Sequence, residues 1–296
     1  MMRKVSLNLL LWAACFVLAA CSDNSGIENE LPAPTPGSGT GVDIDHLLPP
    51  KKSAGATRLV SYNVGIFNKF IQDDYELIAD MMTEVEADVV CLNELDSCTN
   101  RTRKVFQAKR IAEEMGGWSY CFGPAIPHDG GKYGEGLMSK QKPIEQYYIP
   151  LPKNVGAEAR VLAVMEFDDY VVASTHLDHV SAQAREEQAK IISEEMIKRY
   201  GDSDKRVFLG GDMNCTPDSE VITIFKKDWT ILTGTSGRDN YTFSTTNPKS
   251  CIDYIMLLNN GAKVDVIHRQ VITALKAGDV TQASDHFPVL LEVKCN

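Results

Sequence analysis

"LGGDMNCTP" (residues 209–217) closes the apolar run "RVFL" with two glycines, an aspartate and, two positions on, an asparagine. Strand interiors disfavour Asp and Asn, and a buried charge is costly unless it is paired or bound to a metal. Asp212 and Asn214 therefore begin either an ordinary turn or a site. The rest of the chain decides between these, because the same pattern recurs. Asn63 follows "LVSY", and Glu94 ends "DVVCLNE". His176, Asp178 and His179 lie in "STHLDH", Asp253 sits inside "CIDYI", and Asp285 and His286 precede "FPVLLEV". Six such places, each at a strand end or within a strand, exceed what turns require. In layered α/β folds, strand ends gather at one edge and line the pocket.

Around these motifs, short apolar or alternating runs read as strands over 57–65, 88–94, 160–167, 170–177, 206–211, 251–257 and 287–293. Weaker candidates lie at 118–123 and 134–140. Helical spacing of apolar residues marks 73–87, 101–116 and 181–200, with a shorter helix over 218–227 opened by Asp218. Strand pairs mixed with strand–helix–strand units predict two sheets in a layered α/β arrangement, not one doubly wound sheet.

The N-terminus has a different character. Arg3 and Lys4 precede an apolar run from Leu7 to Ala20, broken only by Asn8, and "LAAC" ends at Cys21. A basic start, a short apolar stretch and small residues before a cleavage point read as an export signal over 1–20. The run is short for a bilayer span. "LAAC" resembles a lipobox, which implies lipidation of Cys21 and anchoring of the exported chain to a bacterial membrane, on its periplasmic or cell-surface side. Residues 21–56, rich in Pro, Gly, Ser and acid, read as a flexible tether. Asp43, Asp45 and His46 within it read as solvated linker residues. Residues 57–296 read as one domain, expected to act as a monomer.

The formal charge of −10 becomes −12 once Arg3 and Lys4 leave with an acid-free segment 1–20. Such a domain lacks the footprint of a tight nucleic-acid binder, though bound cations supply local positive charge at a nuclease centre. Besides Cys21, the exported chain keeps Cys91, Cys98, Cys121, Cys215, Cys251 and Cys295, none in CxxC spacing, so a zinc site is not expected. A Cys215–Cys251 bridge is one possible pairing.

The chemistry of the collected residues is coherent. Glu94, Asp212, Asp285, Asn63 and Asn214 are hard oxygen donors suited to Mg²⁺, with Mn²⁺ or Ca²⁺ as alternatives. His176 and His286 are proton-transfer candidates. Together they suit phosphoester hydrolysis.

"SYN" (61–63), "VVCLNE" (89–94), "THLDH" (175–179), "GGDMN" (210–214), "IDYI" (252–255) and "SDHFPV" (284–289) occur in the order found in the endonuclease/exonuclease/phosphatase superfamily, which the chain resembles over nearly all of 57–296. The resemblance implies a four-layer α/β sandwich, two packed mixed β-sheets flanked by helices. It implies Glu94, Asn63 and Asp285 as metal ligands, His286 as general base oriented by Asp253, and Asp212 with Asn214 positioning water and phosphate. His176 is implied as phosphate contact and leaving-group acid, and Arg160 as a phosphate-binding arginine. One departure is Glu135 in "GEGLMSK", where many relatives carry Asn. It reads either as a partner of His176 or as an exposed edge-strand glutamate. His179 is a candidate substrate contact; Asp178, Arg185 and Gln188 read as structural.

Three functions follow. The first is a divalent-metal-dependent phosphodiesterase or phosphatase acting on a small or lipid-derived phosphoester. The second is an extracytoplasmic nuclease, with DNA or RNA as substrate only. The third is a non-catalytic, metal-stabilised surface module, disfavoured because binding alone needs no proton donors.

Overall fold

Strands that are apolar on both faces need cover on both sides, and the chain meets that need by stacking two sheets and clothing each with helices. The computed structural model describes residues 44–295. The export signal, Cys21 and most of the stretch read as a tether lie outside the described residues. In chain order the strands are β1 (Thr57–Asn63), β2 (Val89–Ser97), β3 (Ser119–His128), β4 (Gly131–Ser139), β5 (Glu145–Leu151), β6 (Arg160–Glu166), β7 (Tyr170–His176), β8 (Arg206–Asp212), β9 (Trp229–Ile231), β10 (Asp253–Leu258), β11 (Val264–Val271) and β12 (Val289–Cys295). The α-helices are α1 (Tyr75–Glu84), α2 (Gln107–Glu114), α3 (Ala182–Tyr200), α4 (Glu220–Phe225) and α5 (Val280–Ala283).

One six-stranded sheet has the order β11-β12-β1-β2-β4-β3, the other β5-β6-β7-β8-β10-β9. Each contains one parallel pair, β1–β2 and β7–β8, joined through α1 and α3 respectively; the remaining pairs are antiparallel. The core is layered to match. Leu59, Cys91, Leu137, Ala163, Phe208, Ile255 and Leu291 pack between the sheets. Val60, Val90 and Leu290 pack with Ile78, Met82 and Ile111 of α1 and α2. Leu209 and Met256 pack with Ile192 and Met196 of α3 and Ile222 of α4. This is the expected sandwich of two mixed sheets flanked by helices.

The structure refines several element boundaries. Both weak strand candidates form, as β3 and β4. The helix expected over 101–116 starts only at Gln107, because Arg103 and Lys104 have φ of 52° and 63°, which a right-handed helix excludes. The cap of α4 is Ser219, whose Oγ accepts from Ile222 N (3.3 Å), whereas Asp218 accepts from the Thr216 hydroxyl. Strands β5, β9 and β11 went unread; β5, β9 and β11 lie at sheet edges, where half-exposed strands lose the apolar run that marks a central one. Cys215 and Cys251 are both free thiols, so the bridge considered for them does not form. Residues ahead of Thr57 are docked: the buried Arg58 guanidinium binds Glu292 Oε2 (2.7 Å), Val85 O (2.7 Å) and Pro50 O (2.5 Å), and Ser53 N donates to Glu292 Oε1 (2.9 Å).

Candidate active site

Strand register builds the site. In the parallel pair β1–β2, Asn63 lies opposite Asn93; in β7–β8, His176 lies opposite Asp212. The antiparallel pairing of β10 with β8 sets Asp253 opposite Asp212. Four strand ends thus deliver their polar residues to one edge of the sandwich. The pairing of β2 with β4 breaks between Leu92 and Leu95, and Glu94 has φ 61°. Bulges of this kind re-aim side chains beside active sites, and here the bulge carries Glu94 into the cleft.

The two glycines of "LGGDMN" explain how the sheets close around that edge. A Cβ on Gly210 would lie 2.7 Å from Cys91 Sγ of the other sheet, and one on Gly211 (φ 149°) would lie 1.8 Å from Thr175 O. Asn214 has φ 48°, a left-handed turn that Asn tolerates. The stretch is therefore a turn and a site at once.

Asn63 is the hub. Its Nδ2 donates to Glu94 Oε1 (3.0 Å) and Asp212 Oδ2 (3.2 Å) and lies 3.5 Å from His286 Nε2. His286 Nδ1 is 2.9 Å from Asp253 Oδ2, and its Nε2 is 3.6 Å from Asp212 Oδ2. Asn214 Nδ2 donates to His176 Nε2 (2.8 Å) and Leu177 O (3.0 Å). His176, Asp212, Asn214 and His286 border a cleft of 320 Å³, with Glu94, Asp285 and Arg160 on its walls and Asn63 and Asp253 bonded behind them. Asp285 is paired with Lys69 Nζ at 2.5 Å.

Sequence reasoning missed Asn93. Fully buried, it joins the two sheets: its Oδ1 accepts from Asp212 N (2.9 Å), and its Nδ2 donates to Thr175 O (2.9 Å) and Glu135 Oε2 (3.1 Å). An Asn inside an apolar strand was the available mark. Phe243, in ring contact with His286 (4.8 Å between centroids), was also missed, as was Glu158 on the cleft wall.

Glu135 is not an exposed edge glutamate. It is fully buried in β4, an inner strand, with Oε1 3.9 Å from His176 Nδ1 and neither atom otherwise bonded. Burial pushes its carboxyl up to about 8, so it is protonated at neutral pH. Burial, then the Arg160 charge, hold His176 well below the usual imidazole range. Its Nε2 lies 2.8 Å from Asn214 Nδ2, an arrangement in which the ring accepts from Asn214. His286 is the opposite case. Burial opposes its charge, but Asp253 and Asp212 outweigh burial and raise it to about 10. Burial and the neighbouring Asp253 push Asp212 up to about 7.

Arg160 is almost wholly buried, with Nη2 3.1 Å from His179 Nδ1 and Nη1 3.1 Å from Glu158 Oε1. The fully buried Asp178 organises this corner. Its Oδ2 accepts from Ala157 N (2.6 Å) and its Oδ1 from Val180 N (2.9 Å) and Ser181 N (2.7 Å), tying the loop before β6 to the turn after β7. Gln188, also fully buried, accepts from Asp178 N (2.9 Å).

The carboxylates of Glu94 and Asp285 fit a hard divalent cation. Asn63 Oδ1 accepts from Gly65 N (3.1 Å) while its Nδ2 faces Glu94, so its carboxamide would turn over to join them. The two carboxylates face one cleft, and the backbone at Glu94 is turned specifically to place its side chain there. Asp212, Asp253 and His286 each offer a ligand atom within 4.8 Å of the others, but there His286 Nδ1 and Asp253 Oδ2 are already bonded to each other.

Fold and cleft together define a four-layer sandwich that assembles hard oxygen donors and imidazoles at one sheet edge. The profile of the Endonuclease/Exonuclease/phosphatase family matches residues 60–286, and the chain belongs to that family. Among solved structures, it resembles an endonuclease/exonuclease/phosphatase from Bacteroides vulgatus (18% identity, 81% of this chain and 99% of that one, TM-score 0.65). It also resembles a mannosyl-6-phosphatase from Bacteroides thetaiotaomicron (20% identity, 80% and 99%, TM-score 0.62) and the human Nocturnin catalytic domain with bound sulfate (17% identity, 82% and 94%, TM-score 0.63). At these identities the likeness shows the fold. No curated protein matches the chain in sequence.

Proposed function

We propose that the protein is a divalent-metal-dependent phosphoester hydrolase acting on a small or lipid-derived phosphoester. The observation that carries this reading is the single hydrogen-bonded set from Glu94 through Asn63 and Asp212 to His286 and Asp253, opening into a cleft that Arg160 also borders.

Glu94, Asp285 and Asn63 would hold the cation. When bound, it offsets the negative field of the carboxylates and the charge of the phosphoryl oxygens. With that field offset, His286 moves toward the neutral form that a base requires. Asp253 fixes its ring at Nδ1, and Nε2 takes the proton of the attacking water beside Asp212. As the water oxygen bonds to phosphorus the ester P–O bond breaks, and the leaving oxygen takes up a proton from solvent water in the open cleft. Asn214 and His176 line the wall against which a phosphoryl oxygen would lie. Arg160 supplies fixed positive charge at the opposite wall, and its burial keeps that charge strong. Phosphatase activity in the structurally similar Bacteroides thetaiotaomicron protein agrees with this reading at the level of fold.

The proposal extends to location: export through residues 1–20 and lipid anchoring at Cys21 would hold the domain at a bacterial membrane. Among the described residues no helix is long and apolar enough to cross one.

The test is a substrate panel. The full-length chain with Mg²⁺ is offered bis-p-nitrophenyl phosphate, sugar phosphates, phospholipids, plasmid DNA and RNA. Turnover of the small or lipid esters, with slow cutting of nucleic acid, supports the reading. Rapid cutting of nucleic acid that falls steeply with salt replaces it with the nuclease reading.

A further inference from the structure

A second cleft, also of 320 Å³, adjoins the catalytic one and shares Glu94, Tyr133 and Glu158 with it. Its other walls are different in kind. Lys69, Arg101 and His128 line it, with Asn68 and the apolar Ile66 and Ile126. Glu94 is assigned to the cation, Glu158 is paired with Arg160 and Lys69 with Asp285, so the charged side chains left to meet a ligand here are the basic Arg101 and His128.

Tyr133 forms the divide. Its side chain lines both clefts, with Arg160 on the catalytic side. The Arg101 guanidinium lies 5.6 Å from its ring centre and the His128 ring 6.2 Å from it on the second side. Arg101 is held in a fixed orientation: its Nε and Nη2 donate to the buried Asp96 (2.7 and 2.8 Å), and a guanidinium keeps further N–H groups at Nη1. Such a fork is suited to planar anions. The surrounding sequence is also unusual for this acidic chain. Between Asp96 and Glu113 there is no acid, while Arg101, Arg103, Lys104, Lys109 and Arg110 all fall there. The 100–104 turn stands against the 129–131 turn: Asp129 O accepts from Asn100 N (2.9 Å) and Gly130 O from Lys104 Nζ (3.1 Å), which keeps Arg101 and His128 on one rim.

The geometry points to a second anion subsite: the cleft bounded by Arg101, His128 and Lys69 receives a second phosphate or carboxylate of the substrate, while the phosphoester to be cleaved lies at Arg160 and Asp212. The preferred substrate is then a small phosphoester carrying two anionic groups, one on each side of Tyr133. This assignment rests on the hydrolase reading above and narrows its substrate class.

The test compares hexose 6-phosphate with hexose 1,6-bisphosphate, following phosphate release by the full-length chain in Mg²⁺. The bisphosphate is expected to show a KM lower by about tenfold or more, as one added charge-assisted contact would give. Arg101→Gln and, separately, His128→Ala are each expected to shrink that ratio toward one. Because Arg101→Gln also strands Asp96, Arg101→Lys and a thermal melt accompany it, and His128→Ala stands as the variant at the rim. A 5′-phosphorylated dinucleotide supplies the same two charges from a nucleic-acid source. A low KM for it in place of the sugar bisphosphate keeps the subsite and assigns it to a nucleotide backbone. Equal KM values for all three, with brisk turnover, overturn the subsite and leave the hydrolase standing. If none is hydrolysed, bis-p-nitrophenyl phosphate turnover decides the hydrolase reading, and calorimetric binding of the two sugars decides the subsite alone: equal affinity rejects it, and tighter binding of the bisphosphate that His128→Ala removes retains it.

Discussion

Asn93 carries more of the structure than any residue that sequence reasoning marked. Its amide satisfies Asp212 N, Thr175 O and Glu135 at once, and it is fully enclosed between the sheets. Asn93→Ala leaves these buried groups without partners, so a loss of about 3 kcal/mol is expected; urea unfolding measures it, and a loss under about 1 kcal/mol would show that the groups find other partners. Asn63, Glu94, His176, Asp212, Asn214, Asp253, Asp285 and His286 were legible because each interrupts or ends an apolar run, and the structure brings them to one cleft. Asn93 was hidden by its neighbour: beside Glu94 it looked like part of the same strand end. The protonation of these groups was also out of reach, since it depends on who faces whom. The resemblance offered His176 as a partner of Glu135, but nothing in "GEGLMSK" shows that both are buried, and nothing in "THLDH" shows that Asp178 fastens two loops.

At the level of elements, the central strands were readable, while of the four edge strands only β3 gave a signal, and a weak one. Parallel pairs buried on both faces leave continuous apolar runs, whereas β5 and β11 alternate with exposed residues such as Tyr148 and Ile267. The turn over 101–106 misread as helix shows the limit of periodicity: Val105 and Ala108 fit the spacing, but backbone bonds from Lys104 N to Thr99 O and Cys98 N to Val105 O fold the segment back instead. Gly211 tests how closely β7 and β8 must approach. Gly211→Ala places a methyl against Thr175 O and is expected to destabilise by about 3 kcal/mol or more. Gly116→Ala, also at positive φ but with no atom within 4 Å, is expected to lose only about 1 kcal/mol. Equal losses in thermal unfolding would mean that the close approach does not matter. The entry to α1 holds a second test. Asp74 is buried with neither carboxylate oxygen bonded, and burial raises it to about 7. The folded state therefore binds more protons than the unfolded chain between about pH 4 and 7, and stability falls as pH rises through that window. Asp74→Asn is expected to be more stable than the parent at pH 8, by about 1–2 kcal/mol after allowing for solvent screening. The gap should close near pH 4. A pH-independent difference would place the carboxyl's effect elsewhere.

Across the whole molecule, two similar halves pack face to face. Each contributes a parallel strand pair, β1–β2 with Asn63 and Glu94 and β7–β8 with His176 and Asp212, so the cleft exists only when both sheets are stacked. Acidity of the chain as a whole coexists with a basic strip over 101–110 beside the cleft, which sets local electrostatics apart from net charge. The most direct test of the hydrolytic centre is hydrolysis of bis-p-nitrophenyl phosphate by the full-length chain as Mg²⁺ is titrated, with His286→Ala and Glu94→Gln alongside. Chelation should abolish turnover and Mg²⁺ restore it. His286→Ala should lower kcat by about 10²–10⁴-fold while Mg²⁺ binding, measured by calorimetry, stays nearly unchanged, and Glu94→Gln should raise the Mg²⁺ requirement. Undiminished turnover in His286→Ala, or full activity in chelator, would contradict the account.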